Sequence, residues 1–385
     1  MRARRAFPRA AWLGVGALAL AAALGAAWLC GVFSPALEAD PPSAMLIEAW
    51  DGLDAIVIEA ALDVEGRALS VTQRLWLQNR TGQSQAAAVL RAWPNAFQSP
   101  ETSPAAAEED LYQSCYPDGF SAGALVMSQA AVSRGGGEET ASAYRYTDDA
   151  KTVLSVPIPD GWQPGEFVTV SLRYTVQVPR MAYRFGVQSG IWALGNCFAV
   201  PAVWEDGAWR TDAYAPVGDP FYTDCANYTV SVTVPEGYVC AGSGWPAVET
   251  AGGQSTYRFT ASAVRDFGLV ISDRFHMAQC KENGVLLTAY AADASRAREM
   301  LGYAAKALAC YAARFGAYPY PAYTLCEADF PMGGMEYPAM AMIASSQLAL
   351  GGQALEYVTA HETAHQWWYA VVGSDPWNQP WQDEA

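Results

Sequence analysis

Two of the three histidines in this 385-residue chain fall in one pentapeptide, His361-Glu362-Thr363-Ala364-His365. Residues four apart on an α-helix share a face one turn apart, so both imidazoles can converge on one point. Neutral imidazole nitrogens suit a tetrahedral Zn²⁺ ion, and Glu362 can face a water molecule at the open fourth position. The pentapeptide therefore predicts one zinc ion with His361 and His365 as ligands.

A pair of histidines leaves such a site one protein ligand short. The candidate for the third ligand is Glu384, which follows His365 with 18 residues between them. The residues flanking the histidines are uncharged, as a helix packed in an interior requires. An ordinary core helix would have to bury two imidazoles and a carboxylate without partners, and that cost favours the metal site.

A second candidate feature is the run Gly333-Gly334-Met335-Glu336, upstream of the histidines. Two glycines before a strand allow backbone groups to approach a ligand closely. The adjacent Glu336 carboxylate can bind a cation. Taken alone, the run fits equally a Gly-Gly turn followed by a solvated glutamate, and it gains meaning only beside the zinc motif.

These residues need a mixed scaffold to position them, and the pattern after residue 272 predicts one. A helix over 353–371 carries the histidines. An amphipathic helix over 294–315 has Asp293 or Ser295 as its cap and Gly316 at its end. Predicted strands cover 285–290, 323–330 and 335–344. Residues 273–385 are therefore predicted to form an α+β domain.

The preceding region, 47–272, is predicted to be an all-β sandwich or saddle. Strict alternation of apolar and polar residues marks strands, and Pro- and Gly-rich stretches mark loops. No helix of any length is expected before residue 290. The predicted strands cover 55–58, 69–77, 167–178 and 228–234, and the predicted loops cover 99–110 and 133–141.

The N-terminal residues 1–33 resemble a membrane anchor. Four arginines, at positions 2, 4, 5 and 9, precede an unbroken apolar run over 10–33. As a helix that run would rise about 36 Å, enough to cross a bilayer, and the arginines would stay in the cytoplasm. A cleaved signal peptide is the alternative, and would give a secreted protein. Residues 34–46 are predicted to form a linker, which leaves the remaining domains extracytoplasmic.

The composition of the chain argues against several other classes of protein. Hydrophobic residues make up 52% of the chain, which excludes disorder for most of it, and the net charge is −16. Such an acidic protein repels phosphate backbones, so nucleic-acid binding is not expected. None of the eight cysteines forms a C-x-x-C pair, so a cysteine zinc cluster is not expected. Disulfides and free buried thiols both remain open.

At the level of motifs, the chain resembles the M1 (gluzincin) zinc aminopeptidases. The resemblance rests on the histidine pentapeptide, the 18-residue interval to Glu384 and the preceding Gly-Gly-Met-Glu, and the Tyr-Pro that follows is similar to a bacterial subgroup. It implies a β-saddle domain followed by a thermolysin-like catalytic domain with one zinc ion. The implied roles are zinc ligation by His361, His365 and Glu384, general base catalysis by Glu362, amine pairing by Glu336, and substrate backbone binding by Gly333, Gly334 and Met335.

Two departures from the family pattern concern substrate binding. Tyr337 stands where the family usually has asparagine, and residues 192–201 replace the stretch whose glutamine commonly helps to hold the amine. The resemblance also implies a transition-state tyrosine and a helical domain beyond Glu384. We therefore expect residues 1–385 to be an N-terminal fragment that is not a competent enzyme by itself.

The sequence thus predicts a multidomain, membrane-tethered zinc metallopeptidase. It would remove N-terminal residues from peptides with a free amine by attack of a metal-activated water. A zinc endopeptidase of the same fold is one alternative. A non-catalytic, membrane-tethered binding module is the other.

Overall fold

The computed structural model describes residues 52–384, except 107, 136 and 217. The predicted N-terminal helix over 1–33 and the linker over 34–46 lie outside the described residues and stay predictions. No helix in the described part of the chain is long and apolar enough to cross a membrane. The seven cysteines in this part are free thiols.

Residues up to 272 form a β-rich region, as the alternating sequence predicts. The strands, in chain order, are β1 (Asp54–Asp63), β2 (Ala68–Gln78), β3 (Gln85–Arg91), β4 (Ala124–Arg134), β5 (Thr140–Ala141), β6 (Arg145–Tyr146), β7 (Val153–Trp162), β8 (Phe167–Gln177), β9 (Phe185–Gln188), β10 (Ile191–Leu194), β11 (Val200–Pro201), β12 (Trp204–Glu205), β13 (Ala208–Trp209), β14 (Ala226–Pro235), β15 (Val239–Gly242), β16 (Trp245–Ala251), β17 (Gln254–Val264) and β18 (Leu269–Ser272).

Three sheets and one hairpin organise these strands. The largest sheet has the order β16-β17-β14-β1-β2-β8-β4-β5. It is antiparallel except where β1 runs parallel to β14, with Ile56 opposite Tyr228. Two four-stranded sheets have the orders β15-β18-β10-β9 and β11-β3-β7-β6, and β12 and β13 form the hairpin. Buried alternate residues of β1, β2, β8 and β14 belong to the main hydrophobic core.

The prediction of no helix before residue 290 is wrong at one α-helix and at two short 3₁₀ helices, Trp93–Phe97 and Pro104–Ala106. A seven-residue helix, α1 (Glu109–Cys115), begins inside the predicted loop 99–110 and continues past it. Cys115 is buried in the core, and Leu111 and Tyr112 pack partly against it. Two helical turns are too short to produce a readable apolar period, so tertiary packing rather than sequence pattern fixes this helix.

The second part of the chain has its own sheet, ordered β19-β20-β21-β23-β22. Its strands are β19 (His276–Glu282), β20 (Val285–Ala291), β21 (Ala322–Ala328), β22 (Gly334–Met335) and β23 (Met340–Ala344). The three central strands are parallel, and β22 lies antiparallel at the edge. In the described residues no strand before Ser272 pairs with a strand of this sheet. The domain boundary at residue 273 stays a prediction.

The single strand predicted over 335–344 is wrong in its extent. The chain turns between β22 and β23, where the Met340 amide donates to the Tyr337 carbonyl at 2.9 Å and Ala339 has φ 59°. Pro338 lacks an amide hydrogen and cannot continue a ladder. The break places Glu336 and Tyr337 in the connection between β22 and β23 instead of in a strand.

Three helices accompany this sheet, together with a final single turn. They are α2 (Ala294–Phe315), α3 (Ser345–Leu350), α4 (Gly352–Ala364) and α5 (Trp381–Glu384). The predicted bounds of α2 agree with the structure, and the Asp293 side chain accepts from the Ser295 and Arg296 amides as its cap. The Tyr311 hydroxyl of α2 donates to the Ala360 carbonyl of α4 at 3.2 Å.

The predicted end of the second helix at residue 371 is wrong. The α4 helix ends at Ala364, and His365 is its C-cap residue. Beyond it the Ala370 amide donates to the His365 carbonyl at 3.0 Å, and Tyr369 takes φ 107°. A residue with a Cβ atom in that conformation cannot belong to an α-helix. The apolar run 367–372 therefore forms a turn that closes the helix.

Candidate metal centre and active site

The α4 helix turns one face into the interior. Leu355, Val358, Thr359 and Glu362 follow the i, i+3, i+4, i+7 spacing, and all four are buried. His361 lies at the edge of that face with 38% of its side chain exposed, whereas the side chain of His365 is only 2% exposed. His361 is therefore accessible from solvent, whereas His365 lies within the protein.

The three predicted ligands meet at one point. The Nε2 atoms of His361 and His365 are 3.1 Å apart. Glu384 Oε2 lies 3.5 Å from His361 Nε2, and Glu384 Oε1 lies 4.0 Å from His365 Nε2. Atoms about 2.1 Å from a tetrahedral metal lie about 3.4 Å from one another. The donor types and their spacings therefore fit a zinc ion.

The orientation of His365 supports the same conclusion. Its Nδ1 atom lies 3.2 Å from the Trp368 carbonyl, which can only accept a hydrogen bond. The proton of a neutral ring is therefore on Nδ1, and the lone pair of Nε2 faces His361 and Glu384. Burial, followed by the nearby His361, lowers the pKa of His365 and favours this neutral form. The carbonyl comes from the turn that ends α4.

Glu362 is buried beside this triangle and has an unused acceptor. Its side chain is 3% exposed, and Oε2 has no hydrogen-bond partner. Burial, followed by the negative charge of Glu384, raises its pKa well above the usual range. Gly334 of β22 leaves room for the carboxylate, since a Cβ atom there would lie 2.1 Å from Glu362 Oε1. The predicted general base therefore faces the predicted substrate strand.

Glu336 lies close to the same centre. One of its carboxylate oxygens, one of Glu362 and one ring nitrogen of His365 all lie within 4.8 Å of one another. Glu336 is 3% exposed, its Oε1 atom has no partner, and burial raises its pKa well above the usual range. A buried carboxylate without a partner is unfavourable unless a cation or a donor from a ligand reaches it.

Two further residues near Glu336 have no sequence motif that singles them out. Asp219 has an oxygen within 4.8 Å of one oxygen each of Glu336 and Glu384, and it forms a largely buried ion pair with Arg184. The Arg184 guanidinium also lies over the Phe221 ring, 5.4 Å from its centroid. Asp219 lies far upstream of the zinc motif in the sequence, so its spacing from that motif carries no signal of contact.

The predicted third ligand, Glu384, is carried by a segment that the β-rich region anchors. Asp375 accepts from the Trp377 and Asn378 amides, and its Oδ2 atom pairs with Arg210 Nη2 at 2.9 Å. Gln382 donates to the Val372 carbonyl at 2.6 Å and so fixes α5 to the turn after α4. Arg210 directly follows β13, so a residue outside the predicted catalytic domain supports the position of Glu384.

The predicted substrate-binding run forms the free edge of the second sheet. Met335 pairs with Met342 of β23, and the Gly333 carbonyl accepts from the Ala344 amide at 3.0 Å. Because no described strand lies on its other side, β22 can receive an extended peptide by strand addition. All eight residues predicted for the site are thus brought to one region.

The site combines a mixed sheet, a helix with the His-Glu-x-x-His motif, and a carboxylate beside the two histidines. This combination is typical of a metallopeptidase. Residues 299–385 match the model of the peptidase family M1 domain. No curated protein matches the chain in sequence. The family match begins within α2, extends through α5 and includes every residue predicted for the site.

Solved structures share the fold over most of the chain. An M1 zinc metallopeptidase from Deinococcus radiodurans is similar at 17% identity, with a TM-score of 0.57 over 86% of this chain and 68% of that one. A variant from the same organism bound to a Tyr-Ser-Ala substrate has 16% identity and a TM-score of 0.56, with the same coverage. A two-domain M1 zinc metallopeptidase variant bound to L-arginine has 17% identity and a TM-score of 0.58, also with the same coverage.

Residues 299–385 thus match the peptidase family M1 domain, and the chain, including its multi-sheet β-rich region, shares its fold with solved M1 zinc metallopeptidases. The bacterial subgroup, the fragment status and the preference for N-terminal residues are finer predictions that the comparisons leave open.

Proposed function

We propose that the chain carries the active site of a zinc-dependent aminopeptidase, which removes residues from the free N-terminus of peptides. The observation that carries the proposal is the buried carboxylate of Glu336, which keeps Oε1 without a partner and lies beside His365, Glu362 and Glu384. An α-ammonium group is a cation of the right size for this position, and only the first residue of a peptide supplies one at its backbone. Asp219 adds a second negative charge nearby.

His361, His365 and Glu384 would hold one Zn²⁺ ion. When bound, zinc lowers the pKa of water and polarises a carbonyl group. Its positive charge also opposes the effect of burial on Glu362, so that the carboxylate can be ionised at neutral pH.

The protein residues transfer the proton and bind the substrate. Glu362 accepts the proton of the attacking water and then donates it to the leaving amine. The edge of β22 holds the peptide backbone extended, and Glu336 pairs with the ammonium group, which fixes how far the chain can enter. The scissile bond is then the first peptide bond. The Tyr-Ser-Ala complex of the Deinococcus relative supports a peptide as the ligand class.

The test compares matched substrates on zinc-loaded protein. A tripeptide with a free amine and its N-acetylated form are incubated with the full chain, with an extended form that includes any natural downstream residues, and with metal-free protein. We expect zinc-loaded protein of the extended form to hold one zinc ion per chain and to release the first residue from the free peptide only.

Other outcomes point to the alternatives. Internal cleavage of the acetylated peptide would favour an endopeptidase. Binding of peptide without turnover in both forms of the protein would favour a binding module. If the protein bound no zinc at micromolar zinc concentrations, the proposal itself would be contradicted.

A further inference from the structure

The side chain of Tyr337 enters a slot between two glycines of the β-rich region. Tyr337 directly follows Glu336 and is fully buried. Gly195 lies just after β10 and Gly268 just before β18, which is its antiparallel neighbour. A Cβ atom at Gly195 would lie 1.8 Å from the Tyr337 hydroxyl oxygen, and one at Gly268 would lie 2.6 Å from Cγ. The slot admits the ring because both positions lack a side chain.

A chain of buried hydrogen bonds closes the end of the slot. The Tyr337 hydroxyl donates to Asn196 Oδ1 at 2.9 Å. The amide group of Asn196 donates to Asp266 Oδ2, and Asp266 Oδ1 accepts from the Phe267 amide at 2.7 Å. Asn196 has φ 53°, a conformation that asparagine tolerates better than most residues. Residues 192–201 and Tyr337, the two places where the sequence departs from the family pattern, therefore contact each other.

This contact lies one residue from Glu336. Met335, on the other side, belongs to β22, and the Tyr337 carbonyl accepts from Gln366 Nε2 at 3.1 Å and from the Met340 amide at 2.9 Å. The unpartnered carboxylate of Glu336 would gain free energy by moving toward water. The backbone on both sides has to resist that movement, and the slot supplies the resistance on the Tyr337 side.

We infer that Tyr337 is a positioning residue, which the Gly195/Gly268 slot and Asn196 lock so that Glu336 stays facing the metal centre and can bind the amine of a ligand. This inference rests on the proposed function of Glu336. It assigns to the β-rich region a role in ligand recognition that does not require any of its residues to touch the ligand.

The experiment measures ligand binding, so that it does not depend on turnover. Zinc-loaded full-length chain is titrated by calorimetry with L-phenylalaninamide and with N-acetyl-L-phenylalaninamide. Tyr337→Phe is expected to weaken binding of the free amide by roughly 10-fold, because it leaves the Asn196 acceptor unpaired. Binding of the acetylated amide and the zinc content should not change.

A second variant covers the case in which Tyr337→Phe fails to fold. Asn196→Gly keeps the left-handed backbone and removes the acceptor, so it should produce the same selective loss. The matched control is Tyr174→Phe, because Tyr174 is also a buried tyrosine whose hydroxyl donates to a side-chain oxygen, that of Gln73, at 2.5 Å. It should lower thermal stability without changing the ratio of the two affinities.

A double variant that combines Tyr337→Phe with Glu336→Gln tests the role of Tyr337 separately from the proposed function of Glu336. If Tyr337 acts through Glu336, Tyr337→Phe should have no further effect in the Glu336→Gln background. A 10-fold loss that persists there, or equal loss for both amides, would overturn the positioning role. A wild-type protein that binds both amides equally would instead contradict the amine site, and the coupling between the two substitutions would still decide the role of Tyr337.

Discussion

At the scale of single residues, the centre is defined by polar groups that the protein leaves unsatisfied. Glu336 and Glu362 are both 3% exposed, and each keeps one oxygen without a partner. A folded protein normally pairs such groups, because an unmade hydrogen bond in the interior costs about 1–3 kcal/mol. Their coexistence beside two histidines indicates a site that a metal ion and a substrate complete.

Glu362→Gln should retain zinc and lose turnover. Glutamine has the same shape but cannot accept the proton of the attacking water, so kcat should fall by roughly 10²–10⁴-fold. The measurement is kcat on a free tripeptide together with metal analysis of the same sample, in a form of the protein that is active. His361→Ala is the contrasting variant, since it should lose the metal. Near-normal turnover by Glu362→Gln would show that another group is the base.

At the scale of elements, the first two predicted ligands and the third are held in different ways. His361 and His365 are positioned by α4, which packs against α2 and the second sheet. Glu384 belongs to a single turn, and a helix of four residues is not stable without outside contacts. The ion pair between Arg210 and Asp375 supplies one such contact, and the Asp375 side chain is only 8% exposed.

Arg210→Ala should therefore weaken zinc binding by about 10-fold, by analogy with the loss of other groups that orient ligands. Arg210→Lys should recover part of the affinity. Arg74→Ala is the control, because Arg74 forms an ion pair with Glu139 in which both side chains are more than 40% exposed. Zinc affinity is measured by competition with a chelator. Equal affinity in Arg210→Ala and Arg74→Ala would contradict the anchoring role.

Features that depend on local sequence signals were predictable, whereas features that depend on long-range packing were not. The bounds of α2 were predictable because its cap, Asp293, and its terminal Gly316 are local signals. The zinc motif was predictable for the same reason, since its spacing acts within one helix. Asp219 and Asn196 were not, because they approach Glu336 and Tyr337 only through the packing of the β-rich region on the second sheet.

The end of α4 shows the opposite failure, in which a local pattern misleads. Residues 365–371 continue an apolar, helix-compatible run, and the sequence contains no glycine or proline to stop it before Gly373. The structure stops it with Tyr369 at φ 107°, and the Arg265 side chain donates to the Tyr369 carbonyl at 3.1 Å. A contact from β-rich residues thus overrides the propensity of the run.

At the scale of the whole molecule, the buried network of Tyr337, Asn196 and Asp266 makes overall stability depend on pH. Burial raises the pKa of Asp266 from 3.8 to about 6. Because the folded state binds this proton more tightly than the unfolded state, the stabilising contribution is complete below pH 4. It is lost as pH rises through 6, and the loss is at most about 3 kcal/mol.

Asp266→Asn removes this titration. The difference in unfolding free energy between variant and wild type should therefore shift in favour of the variant between pH 4 and pH 7. Urea unfolding at a series of pH values measures it, with Glu249→Gln on the exposed stretch of β16 as a control for the change in charge. A difference that stays constant with pH for Asp266→Asn would show that the carboxyl does not titrate in this range.

The parallel pairing of β1 with β14 has a consequence for biosynthesis. Strand β1 (Asp54–Asp63) leaves the ribosome early and can form a hairpin with β2. Its other edge stays unpaired until β14 (Ala226–Pro235) has been synthesised. At about 5–20 residues per second, the delay is on the order of 10 to 30 s. During that time the nascent chain exposes an unpaired, largely apolar strand edge, which is a template for association with other chains. The yield of this protein in cells should therefore depend on the supply of chaperones more than on the final stability of its fold.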